Sequence, residues 1–171
     1  MRAPVIFVVL LGLAWMDSPP LRTQQIPAAV VSDPPIDKKF PPELVVTTVP
    51  SHGVLMDGTF YLAAGAGSHA TLLLLHGLPG YENSGDLAQS IRRAGWNVLL
   101  FHYRGTWGTS GAFSQSSAIE DVTEAVRFLR DPVNAAKYRI DPQSLVVIGH
   151  SLGRSWQDMR ALTILTSGPL P

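Results

Sequence analysis

The stretch LVVIGHSLG, residues 145–153, decides how the rest of the chain is interpreted. It opens with four consecutive apolar residues, which predict a strand buried on both faces, as in a parallel sheet. The pattern G-x-S-x-G follows, with Gly149 and Gly153 on either side of Ser151. In a tight strand-to-helix turn, larger side chains at those two positions would collide, and the turn exposes the serine hydroxyl. The stretch therefore predicts Ser151 as a nucleophile.

A second pattern, HGLPG at residues 76–80, also follows an apolar run, at residues 71–75. In acyl-transfer sites a backbone amide from such a loop joins the amide after the nucleophile, and both donate to the tetrahedral oxyanion. The predicted donors are the amides of Leu78 and Leu152, with Gly77 as the loop glycine. By itself the pattern is better explained as a Gly-Pro turn without a catalytic role, but its position before the serine motif favours the catalytic interpretation.

A third stretch, YRGTWGTSG at residues 103–111, follows another apolar run. Its glycines allow a loop with unusual backbone dihedrals. Two interpretations stay open at this point: a loop that borders the substrate pocket, and a flexible connection on the surface.

Strand and helix signals alternate along the chain. Runs rich in β-branched or apolar residues predict strands at residues 44–49, 59–63, 71–75, 97–102 and 145–148. The first two, with a turn expected at Asp57-Gly58, have no helix between them and predict an antiparallel edge. The other three alternate with helices, and such alternation predicts right-handed βαβ units in a mostly parallel sheet.

Two amphipathic helices are predicted between these strands. The first has an apolar face formed by Leu87, Ile91 and Ala94. The second has an apolar stripe formed by Ile119, Val122, Val126 and Leu129. We expect the second helix to begin with a capping box of Ser117 and Glu120. It should end at Asp131, because the residue before Pro132 avoids the helical region.

The segments LLLLHGLPGYE, VLLFHYRGTWGTSG and LVVIGHSLG together resemble the α/β-hydrolase superfamily, most closely its peptidase-like and dienelactone-hydrolase-like branches. The resemblance covers residues 43–153. It implies a partial α/β-hydrolase fold: a mostly parallel sheet with an antiparallel N-terminal edge and helices on both faces, lacking the C-terminal strands. It also implies a Ser-acid-His triad that hydrolyses an ester, thioester or amide, with Ser151 as nucleophile and Leu78 and Leu152 as oxyanion donors.

The sequence departs from this family after the serine motif. In the superfamily the acid and the histidine follow the serine, but the segment after Ser151 contains one acid, Asp158, and no histidine. Arg154 stands where the family has a small residue, which suggests a frameshift or a truncated gene model. We expect weak or no turnover from this chain. The alternatives are a non-catalytic fragment or binding module, and complementation by a second chain that supplies the missing strands.

The histidines that precede or adjoin the serine are expected to be surface or internally hydrogen-bonded residues without a catalytic role. They are His52, His69, His76, His102 and His150.

The N-terminal segment has the pattern of a signal peptide. Arg2 precedes an apolar run that ends at Met16 and is shorter than the roughly 20 residues that span a bilayer. We therefore expect export to the periplasm or the outside of the cell, with an uncleaved membrane anchor or a wrongly assigned start codon as alternatives. Residues 17–42 are proline-rich and predict a linker or extended arm, and residues 43–171 the truncated hydrolase domain.

Composition limits the classes of partner. Thirteen basic and thirteen acidic side chains balance, so nothing in the charge favours nucleic acid or an anionic membrane surface. The sequence has no cysteine, which excludes disulfides, thiolate metal sites and a cysteine nucleophile. No metal-ligand or nucleotide-binding spacing is present, and we predict no metal and no cofactor. The expected partner is a small-molecule or peptide acyl substrate.

Overall fold

The computed structural model describes residues 26–78 and 84–149. The predicted nucleophile Ser151, its neighbours Leu152 and Gly153, and the predicted signal segment lie outside these ranges. In chain order the described elements are α1 (Ala28–Val31), β1 (Glu43–Ser51), β2 (Val54–Leu62), β3 (His69–Leu75), α2 (Gly85–Arg93), β4 (Asn97–Phe101), α3 (Gln115–Arg130), α4 (Pro132–Tyr138) and β5 (Ile140–Gly149).

The five described strands form one mixed sheet in the order β1-β2-β4-β3-β5. Strand β3 pairs in parallel with both β4 and β5, while β2 runs antiparallel to β1 and β4. The expected parallel core with an antiparallel N-terminal edge is confirmed. Among the described strands β5 is the edge on the other side of the sheet, as expected for a partial α/β-hydrolase fold.

The first hairpin turns earlier than the sequence suggested. Ser51 pairs with Val54, so the turn lies at His52-Gly53, where both residues have positive φ, +46° and +81°. That combination matches the right-handed twist of the flanking strands. The prediction of a turn at Asp57-Gly58 was wrong. Gly58 lies inside β2, where the absence of a Cβ allows the neighbouring strand to approach closely. A Cβ there would lie 3.1 Å from the carbonyl oxygen of Leu100 on β4.

Both faces of the sheet are covered by helices, as predicted. On one face α3 and α4 enclose the larger core, with Phe60, Leu73, Leu99 and Leu129 among its buried side chains. On the other face α2 packs on a smaller cluster formed by Leu72, Leu74, Ala88 and Val98. Because β3 contributes to both cores, its apolar run has no polar alternation.

The helix boundaries correct two local predictions. The N-cap of α3 is Ser114, and its capping box uses Ser117, one turn earlier than the predicted pair of Ser117 and Glu120. Asp131 is extended and ends α3 as predicted, but its carboxylate also accepts hydrogen bonds from two amides of α4. In α2 the predicted apolar residue Leu87 is 44% exposed.

The proline-rich segment, where it is described, packs against the sheet domain. The Asp33 carboxylate accepts hydrogen bonds from Arg92 and Arg93 of α2. These bonds lower the pKa of Asp33. Within residues 26–78 and 84–149, no helix is both long enough and apolar enough to cross a membrane.

A buried amide ties β4 to two other segments. The Asn97 side chain donates to the carbonyl oxygens of Tyr138 and Arg139, at 2.9 and 3.1 Å, and accepts from the amide of Ala63 at 2.9 Å. Asn97 is fully buried. Nothing in its apolar sequence context indicated this role.

We expect the substitution Asn97→Leu to lower the free energy of unfolding by about 3 kcal/mol, because three buried backbone groups lose their partner. Chemical denaturation followed by circular dichroism measures this. The matched control is Asn134→Leu, which removes a single half-buried bond to the carbonyl of Phe128 and should cost about 1 kcal/mol. Equal losses of unfolding free energy in the two variants would contradict the role assigned to Asn97.

Candidate active site

The carboxyl ends of β3 and β5 bring two predicted parts of the site together. Leu75, the last residue of β3, pairs in parallel with Gly149, the last residue of β5. Neighbouring strands lie about 4.8 Å apart. The segment that carries Gly77 and Leu78 therefore leaves the sheet beside the point where the chain continues to Ser151. Leu78 is 45% exposed at that edge.

His76 is fixed at the base of this loop. Its ring is buried, with Nδ1 2.7 Å from the carbonyl oxygen of Gly77 and Nε2 without a hydrogen-bond partner. A carbonyl oxygen only accepts, so Nδ1 carries the hydrogen and Nε2 is an unprotonated acceptor. Burial lowers the pKa of His76, although the bond to Gly77 partly opposes this. The ring is therefore neutral near pH 7.

A second imidazole lies next to the first. The rings of His76 and His102 have centroids 5.3 Å apart, and Nδ1 of His102 is also buried without a partner. Burial lowers the pKa of His102, and the neighbouring His76 lowers it further. Both histidines were expected to be surface or internally hydrogen-bonded residues, but each has one buried ring nitrogen without a hydrogen-bond partner.

A small cavity lies beside these rings. Its volume is about 140 Å³, and its lining includes Thr59, Tyr61 and both histidines. Sites for small molecules usually enclose about 300 Å³ or more. A larger cavity of about 380 Å³ lies between the N-terminal arm and α2, lined by Asp33, Glu43 and Arg92 among others. That cavity is at the amino end of the parallel strands, away from the predicted site.

The loop at residues 103–111 borders the carboxyl edge and is held by its own backbone. Gly105 donates to Ser110 at 3.0 Å, and Thr106 donates to Tyr103 at 3.0 Å. Trp107 at its tip has φ of +46°, is 52% exposed, and places its indole ring 6.1 Å from that of His102. Of the two interpretations left open by the sequence, this position favours a loop that borders the site.

A buried carboxylate anchors this loop, and sequence reasoning missed it. Asp121 of α3 is fully buried and accepts hydrogen bonds from the amide and Nε of Arg104, at 3.0 and 2.6 Å, and from the Ser51 hydroxyl at 2.6 Å. The available signal was its helical position. Asp121 lies three residues after Ala118 and four before Ala125, both of which are buried. A carboxylate on an apolar face requires a cationic or hydrogen-bonding partner.

Arg104 also binds a second acid of the same helix. Its Nη2 lies 2.6 Å from the Glu120 carboxylate. This bond lowers the pKa of Glu120 and raises that of Arg104. Residues 26–78 and 84–149 contain no group of three or more His, Asp or Glu side chains that could hold a metal ion.

The contact between Glu120 and Arg104 predicts a pH dependence of stability. Because the folded pKa of Glu120 is depressed, its stabilisation is present above the unfolded pKa of about 4.3 and is lost as the pH falls through the folded pKa. We expect the melting temperatures of the wild type and Glu120→Gln to differ at pH 7 and to converge as the pH approaches 3. Thermal unfolding across this range measures both curves.

The control for this experiment is Glu124→Gln, which removes another acid of α3, one that pairs with Arg127. Parallel curves of melting temperature against pH for the wild type and Glu120→Gln would refute a stabilising contact between Glu120 and Arg104.

Comparison with known proteins relates this chain to a family. The BD-FAE family model matches residues 79–166, just over half of the chain, and the matched segment includes the serine motif. The lysophosphatidylserine lipase ABHD12 of Danio rerio is 33% identical over 102 residues, which are 57% of this chain and 24% of the lipase. The chain thus spans about a quarter of the length of that curated relative.

Solved structures show the same fold. A hyperthermophilic esterase from the archaeon Pyrobaculum calidifontis superposes with a TM-score of 0.58 at 19% identity, over 70% of this chain and 39% of the esterase. An α/β serine hydrolase homologue from Coxiella burnetii superposes with a TM-score of 0.54 at 16% identity, over 68% of this chain and 56% of the homologue. The family match and the shared fold show that the chain belongs to the BD-FAE family within the α/β-hydrolase superfamily.

Proposed function

We propose that the protein is a serine hydrolase that cleaves a carboxylic ester, with Ser151 as its nucleophile. The observation that carries this proposal is the parallel pairing of Leu75 with Gly149. This pairing supports a site in which the loop after β3 and the serine motif after β5 face the same reacting carbonyl. The names of the relatives, a lipase and an esterase, favour an ester over the thioester or amide that the motifs equally allow.

In the proposed reaction the Ser151 hydroxyl oxygen attacks the ester carbonyl carbon and gives its proton to a histidine. The carbonyl oxygen becomes an oxyanion that accepts hydrogen bonds from the amides of Leu78 and Leu152. Each such donor typically lowers the barrier by about 3 kcal/mol. The tetrahedral intermediate collapses, the alcohol leaves with the proton, and water then releases the acid from the acyl-enzyme by the same steps.

The histidine and the acid of the triad are not assigned to residues of this sequence. In the superfamily both follow the nucleophile in chain order. His76 and His102 precede the serine, and one nitrogen of each ring, Nε2 of His76 and Nδ1 of His102, is buried. We therefore do not propose either histidine as the general base.

A fluorophosphonate probe tests the proposal directly, because it phosphonylates only an activated serine. We expect slow labelling of the 171-residue chain, in keeping with its expected weak turnover, with mass spectrometry placing the label on Ser151. The variant Ser151→Ala should lose the label completely. The matched control is Ser116→Ala, which removes an exposed hydroxyl in the first turn of α3 and should be labelled at the wild-type rate.

Two results would overturn the proposal. One is a folded sample with a cooperative melting transition that is not labelled, which would favour the non-catalytic alternative. The other is a label that persists in Ser151→Ala, which would move the nucleophile elsewhere. Labelling only in the presence of a co-purifying polypeptide would support the proposed nucleophile and show that a second chain completes the site.

A further inference from the structure

We propose that His76 is a positioning residue: its Nδ1–H group holds the Gly77 carbonyl and thereby fixes the direction of the Leu78 amide N–H. The proposal deepens the proposed function, since it rests on that function for the role of the Leu78 amide as an oxyanion donor. The hydrogen bond itself is a feature of the described residues and can be tested separately.

The acceptor identifies the donor of this hydrogen bond. Nδ1 of His76 lies 2.7 Å from the carbonyl oxygen of Gly77, which is a short distance for a nitrogen donor. Since the carbonyl has no hydrogen to give, only the Nδ1–H tautomer makes this bond. The other nitrogen, Nε2, is buried without a partner, so no competing acceptor draws the hydrogen to that side of the ring.

The geometry of the peptide unit links this carbonyl to the Leu78 amide. The carbonyl of Gly77 and the amide of Leu78 belong to the same planar peptide, and in the trans form their C=O and N–H bonds point in opposite directions. Fixing the oxygen on the side of the imidazole therefore fixes the N–H on the opposite side. Gly77, which contributes the carbonyl to this peptide, lacks a Cβ and has wide backbone freedom. The peptide therefore needs such a restraint.

The imidazole itself is packed against other rings. His76 is 5% exposed, and its ring centroid lies 4.5 Å from that of Tyr103 and 5.3 Å from that of His102. The Tyr103 hydroxyl also donates to the backbone oxygen of His76, at 3.4 Å. The two neighbouring rings restrict the imidazole, and a rigid donor holds a peptide better than a mobile one.

Two substitutions separate positioning from packing. In His76→Asn the side-chain amide nitrogen can take the place of Nδ1, whereas in His76→Gln the donor is displaced to the place of Nε2. Both variants are polar and smaller than or similar to histidine, so both should fold, which melting curves will check. If His76 positions the peptide, His76→Asn should keep the wild-type behaviour and His76→Gln should lose it. If His76 contributes only packing, His76→Asn should have no advantage over His76→Gln.

Nuclear magnetic resonance of the full chain gives a readout that is independent of activity. We expect the ring nitrogens of His76 to show the Nδ1–H tautomer. The Leu78 amide cross-peak should stay near its wild-type position and exchange rate in His76→Asn, and it should shift or exchange about tenfold faster in His76→Gln. An Nε2–H tautomer, or a Leu78 amide that is unchanged in His76→Gln, would overturn the proposal.

Fluorophosphonate labelling of Ser151 supplies the second readout. A misdirected oxyanion donor should slow the inactivation step by about tenfold or more in His76→Gln, with little change in probe binding, and His76→Asn should remain near the wild type. Equal rates in His76→Gln and the wild type would also overturn the proposal. If the wild type is not labelled at all, the proposed function fails, and the Leu78 cross-peak alone decides whether His76 directs the amide.

Discussion

The register between β3 and β5 is the constraint on which the rest of the site depends. Because both strands are parallel and end together at Leu75 and Gly149, the two loops that follow them emerge side by side. A shift of one residue would turn the apolar side chains of β5 to the opposite face and separate the loops. Burial of β3 against helices on both faces makes such a shift costly, so core packing fixes where the two strands end.

Buried polar groups bind the residues that follow the strands. The sheet places the carboxyl ends of its strands, but it leaves the following loops free to vary. In the loop at residues 103–111, a fully buried carboxylate, Asp121, binds both the backbone and the side chain of Arg104. In the loop after β3, the anchor is an imidazole that binds the next peptide. Both anchors are buried, where an unmatched partner would be costly, and this cost favours one conformation of the residues that they bind.

The sequence predicted the periodic parts of this fold and missed the parts that depend on single long-range partners. Buried apolar runs located β3 and β4, and the stripe at Val122 and Val126 located α3. The hairpin turn was misplaced because Gly58 serves close strand packing, which local sequence cannot distinguish from a turn. Helix α4 was missed because it is seven residues long and too short to show a period. The partner of Asp121 lies seventeen positions away, beyond any local pattern.

Burial stabilises the sheet and also determines the protonation of the histidines at its carboxyl edge. His76 and His102 lie where the cores and the loops meet, and desolvation keeps both rings uncharged. An uncharged imidazole has one N–H, and the nearby carbonyl of Gly77 decides which nitrogen carries it. Apolar packing therefore selects a protonation state, that state selects a tautomer, and the tautomer directs a peptide.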